Sequence, residues 1–157
     1  MKSIVMLMIF MGLANGLIPD APLGTRGTVL FPCAMTRYST PLKLGFVLGA
    51  CLNRPAGSFY HGPFLQLEPG FGGGKINLGY RYGQFDFFPL YSVGLSGSIL
   101  RTWGNPLGNV EPEQTYVGAE VTVALMVLAF NGGAFRHIYG DDTNHEWIMS
   151  LGVGGGF

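Results

Sequence analysis

The chain has 157 residues, room for one domain, with 11% of them charged, 48% hydrophobic and 26 glycine. That balance is the reverse of a disordered chain's, and without a Gly-X-Y period it is not collagen's. Nine basic residues offset nine acidic ones, so nothing electrostatic favours nucleic acid as a partner. No run reaches the roughly 18 apolar residues that a spanning helix needs, so the hydrophobicity must be spread differently.

The first elements in chain order belong to a leader. Lys2 is a basic start, residues 4–13 are apolar, and the small Ala14 and Gly16 precede a cleavage point, which predicts a signal peptide over residues 1–16. Residues 17–27, with Pro19 and Pro22, form a short segment before a single domain over residues 28–157. Export past the cytoplasmic membrane would take Cys33 and Cys51 into an oxidising compartment, where a disulfide and two packed thiols are both open. The sequence has no CxxC spacing and no cysteine–histidine cluster, so neither a metal nor a cofactor is expected.

From residue 28 onward the pattern is alternation, which sends successive side chains to opposite faces of a strand. Residues 28–38 contain Pro32, which costs a strand one ladder bond. In residues 42–53, Leu42, Leu44, Phe46, Leu48 and Leu52 oppose Lys43, Gly45, Gly49, Cys51 and Asn53. Residues 64–73 set Leu65, Leu67 and Phe71 against Gln66, Glu68 and Gly72, and residues 75–82 set Ile76, Leu78, Tyr80 and Tyr82 against Lys75, Asn77, Gly79 and Arg81. The same split runs through residues 91–99, 117–125 and 147–157. Only residues 127–138 lose their phase, around Gly132 and Gly133, which predicts a bulge or bend.

The non-oily face is glycine, serine and a few opposite charges, whereas a water-facing exterior is about a quarter to a third charged. Such a face suits a tight lumen, with the oily face turned to lipid, and a closed barrel is the sheet that satisfies its backbone there. The expected fold is therefore an all-β, antiparallel up-and-down transmembrane barrel of about eight strands, six being the alternative. Both termini fall on the periplasmic side, residues 103–114 and 139–145 form outer loops, and residues 53–62 form an unusually long inner connection. Outer aromatics are Trp103, Tyr116, Tyr139 and Trp147; inner ones are Phe64, Tyr80, Tyr82, Phe87, Tyr91 and Phe157.

The leader, the glycine-rich alternation and the ending Trp147-Ile148-Met149-Ser150-Leu151-Gly152-Val153-Gly154-Gly155-Gly156-Phe157 resemble small outer-membrane barrels of Gram-negative bacteria. The resemblance implies the bacterial outer membrane as location, its lipid as surroundings, a monomer, and Phe157 as the residue through which the barrel-assembly machinery recognises the last strand. That class includes structural proteins, adhesins, lipid-modifying enzymes and narrow pores, so the role does not follow from the resemblance.

Lys43, Glu68, Lys75, Arg81 and Glu120 are expected to form a charge network that plugs the lumen. A structural or surface-interaction role fits this best, with a narrow pore for small solutes as one alternative. The other is a lipid-modifying hydrolase, with His137, Asp142 and Ser150 as candidates beside Asp141, His145 and Glu146. The similar lipid A deacylases carry their His and Ser two residues apart on one strand face; here His137-Ile138-Tyr139 stands instead.

Overall fold

The computed structural model describes residues 27–85, 89–141 and 146–156. The leader and the assignments to Phe87, Asp142, His145 and Phe157 lie outside the described residues. Eight strands follow in order: β1 (Val29–Ser39), β2 (Lys43–Ala56), β3 (Phe59–Gly70), β4 (Gly73–Phe85), β5 (Pro89–Thr102), β6 (Thr115–Leu125), β7 (Leu128–Tyr139) and β8 (Trp147–Gly156). Each pairs antiparallel with the next, and β8 pairs with β1, giving a closed up-and-down barrel without a helix among the described residues.

The ring is staggered. Following the registers from Val29 through Asn53, Gly62 (in step with the flanking pairs Cys51↔Phe64 and Arg54↔His61), Arg81, Gly94, Thr122, Asn131 and Gly152 returns to β1 at Ser39, ten residues further along the strand. With strands about 4.8 Å apart and a rise of about 3.3 Å per residue, that shift tilts them by about 40°. An eight-stranded ring of this kind leaves an interior just wide enough for side chains to fill.

Alternation survives folding because one face of every strand looks into this narrow interior. Leu44, Phe46, Leu48, Leu52, Leu65, Leu67, Ile76 and Leu78 lie exposed on the outside, while Val47, Cys51, Gln66, Glu68, Lys75 and Asn77 are buried inside. Two expectations are corrected. Residues 53–62 are not a long connection, because β2 and β3 run on to a two-residue turn at Gly57 and Ser58, with Gly57 in the positive-φ conformation that such a turn favours. Nor does β7 bulge at Gly132 and Gly133, which pair in unbroken register with Val121 and Glu120. Its phase looks lost because Phe135 is the large inward residue and Arg136 the exposed outward one.

One end of the ring is covered. The β5–β6 loop folds back as Leu107 N–H donates to the Pro41 carbonyl at 3.0 Å and Trp103 N–H to the Gly72 carbonyl at 3.2 Å. Thr102 anchors its base, its hydroxyl donating to the Glu111 carbonyl at 2.8 Å and accepting from the Gln114 N–H at 3.0 Å. Beneath this lid Leu42, Leu100, Val110, Tyr116, Phe135 and Ile148 form a dry cluster. Tyr116, expected in an outer aromatic belt, is fully buried here, and Phe64, expected at an inner rim, is buried against Cys33 and Cys51.

Candidate functional site: the filled lumen

Below the apolar cluster the lumen turns to charge. Glu68 and Lys75 are direct partners across β3 and β4, which sets both side chains on the inner face at one level. Arg37 comes from β1, where its partners on either side are Gly45 and Gly154, so glycine leaves room for the guanidinium. Glu120 completes the group from β6.

The four close a ring of ion pairs. Arg37 Nη1 lies 2.9 Å from Glu68 Oε2 and 3.4 Å from Glu120 Oε1, and Lys75 Nζ lies 3.2 Å from Glu68 Oε2 and 2.5 Å from Glu120 Oε2. Ser39 Oγ donates to the second Glu68 oxygen at 3.1 Å. All four charged side chains are at most 1% exposed. Two cations and two anions therefore share one dry layer with no net charge, and each carboxylate faces both cations. Buried charges persist when paired and further hydrogen-bonded in this way.

Of the five residues expected in the network, Glu68, Lys75 and Glu120 are brought together, while Lys43 and Arg81 make no ion pair among the described residues. Lys43 closes the β1–β2 turn with a φ of 63°, a turn role that alternation does not anticipate. Arg81 sits nearer the end opposite the lid, its guanidinium carbon 5.3 Å from the centre of the Tyr60 ring. Arg37 was the member that sequence reasoning missed. The available signal was its place in step with Cys33, two residues from Met35 and Ser39, in a strand blurred by Pro32.

Between Arg81 and the network, Cys33 and Cys51 are buried side by side, and the structure holds them as free thiols. Gln66 Nε2 donates to Cys33 Sγ at 3.4 Å.

The catalytic candidates separate. Ser150 pairs with Gly133, four residues from His137 along β7, which is about 13 Å of strand, and the buried Phe135–Ile148 pair stands between them. His137 instead meets Gln114 Oε1 at 3.0 Å, with its ring 5.2 Å from that of Tyr116, under the base of the lid. Ser150 Oγ is buried without a hydrogen-bond partner among the described residues. A hydroxyl and an imidazole one layer apart cannot exchange a proton, for which contact of about 2.6–3.2 Å is needed. Asp141 is exposed, and Glu146 pairs with Arg136 at 3.2 Å on the rim. No group of three or more His, Cys, Asp or Glu side chains that would hold a metal is present among the described residues.

No family model, curated protein or solved structure matches this chain.

Proposed function

We propose that this chain is a small barrel of the bacterial outer membrane, exported by its first 16 residues, with a structural or surface-interaction role and a plugged lumen. The observation that carries the reading is the outer wall. The outward strand positions between Arg54 at one end and Arg101 and Arg136 at the other carry no charged residue among the described ones. Strands tilted by about 40° climb about 2.5 Å per residue, so the uncharged runs from Leu44 to Leu52 and from Tyr91 to Ile99 are each about 20 Å tall, close to the ~25 Å apolar band of such barrels.

The rims support the same reading. Trp103, Tyr139 and Trp147 are exposed at the lidded end, and Phe59 stacks on Tyr82 at the other, ring centres 5.5 Å apart, as amphipathic rings do at a membrane–water boundary. The lid belongs outside and the two-residue turns at 57–58 and 126–127 face the periplasm. Outer-membrane lipid is then the principal partner, a monomer the expected state, and Phe157 the contact for the assembly machinery.

Semi-native electrophoresis tests this. The detergent-extracted protein is expected to migrate differently before and after boiling, because the folded barrel resists mild detergent. A monomer that stays soluble and folded without detergent or lipid would overturn the reading.

A further inference from the structure

We propose that the lumen end opposite the lid is a binding site for a small organic carboxylate, held by Arg81. The site lies inside the ring and stands independently of what surrounds the barrel. Glu68 and Glu120 are each engaged by Arg37 and Lys75, so Arg81 is the inward strand cation below the network that no described carboxylate neutralises. Its Nε is buried and has no hydrogen-bond partner among the described residues. A guanidinium in that state is stabilised by an anion that offers two oxygens to its fork.

The surroundings suit such a guest. Gly62 and Gly94 are the direct partners of Arg81 on β3 and β5, so no side chain flanks it in its own row. The position that a side chain would take on Gly94 lies 3.3 Å from the Phe64 ring and 3.5 Å from Arg81 Cβ, which puts an apolar wall beside the cation. The guanidinium carbon lies over the Tyr60 ring, 5.3 Å from its centre, a cation–π contact that occupies none of its N–H donors with an acceptor oxygen. Asn53, 6% exposed and one strand beyond Gly62 in step with it, carries a buried Oδ1 that also lacks a partner among the described residues. A carboxylate on Arg81 with a hydroxyl directed at Asn53 Oδ1 satisfies both orphaned atoms, which points to hydroxycarboxylates over plain ones, while the apolar Phe64 wall favours a guest with a carbon skeleton over hydrogen phosphate.

The test is a titration of the ¹⁵N-labelled folded barrel with lactate, propionate, phosphate and chloride at constant ionic strength, reading the backbone amides of Gly62 and Gly94, the direct partners of Arg81, which every variant keeps. Lactate is expected to give a saturable shift about tenfold tighter than chloride, with propionate between them. Arg81→Gln should abolish the shift, and Arg81→Lys, which keeps the charge without the fork, should weaken it. If Arg81→Gln does not fold, the Arg81→Lys comparison decides alone. Equal responses to all four anions would reduce the effect to screening and overturn the site, as would saturable binding that survives Arg81→Gln. Phosphate binding tighter than either carboxylate would overturn the ligand class, and equal affinity for propionate and lactate would overturn the part given to Asn53.

Discussion

Each carboxylate of the central layer serves two cations, so its loss is felt twice. Glu68→Ala leaves Arg37 and Lys75 to share Glu120 and frees the Ser39 hydroxyl. An uncompensated buried charge of this kind costs about 3–5 kcal/mol. The expected outcome is a large drop in the urea midpoint at which the unboiled gel species disappears. The drop should be nearly the same at low and high salt, since ions screen a dry layer poorly. At this scale the sequence was readable wherever parity was clean: Glu68, Lys75 and Glu120 all sit in well-alternating runs. It failed for the inward aromatics Phe64, Tyr116 and Phe135, because a large apolar side chain is valid on either face and only packing under the lid or around the thiols decides it. Lys43 failed for another reason, since its position is set by turn geometry and not by the pleat.

Hairpins show what a single strand pattern leaves open. Gly57-Ser58 is a two-residue turn signal of the Gly-X kind, but Pro55 and Pro63 on either side also read as loop residues. The fold accommodates its prolines instead: the β2–β3 pairing is interrupted opposite Pro63 and again opposite Pro69 with the register kept on either side, while both prolines keep their place against β4. A missing N–H is tolerable when the lost bond lies on one flank. The β6–β7 turn carries the opposite compromise. Met126 holds a φ of 53°, a left-handed conformation that costs a side-chain-bearing residue about 1–2 kcal/mol. The turn is nevertheless fixed to its neighbours, Met126 N–H donating to the Leu90 carbonyl at 3.1 Å and the Val127 carbonyl accepting from Gly156 N–H at 2.9 Å. Met126→Gly is therefore expected to raise the unfolding midpoint, by about 1 kcal/mol in stability. Urea titration checks it, and a lowered midpoint would show that Met126 contributes contacts worth more than its strain.

Taken whole, the barrel is obstructed at two levels, by the apolar cluster beneath the lid and by the four-charge layer below it. Protein reconstituted in planar bilayers is expected to show no discrete conductance, whereas steps that change with Glu120→Gln would establish a pore and displace the structural reading. The ring closes through a short seam: β1 and β8 share five partners, from Met35↔Gly156 to Ser39↔Gly152, while β1 and β2 share eleven. Those seam partners are more than a hundred residues apart in the chain, and every other pairing joins neighbours in sequence. The consequence is one of timing. Seven hairpin pairings form between neighbouring strands at little entropic cost, but the eighth must wait for both ends of the chain to meet. Until it forms, the nascent sheet keeps two open edges ready to recruit any other strand. The slow, vulnerable interval in the life of this molecule therefore falls just before it is finished.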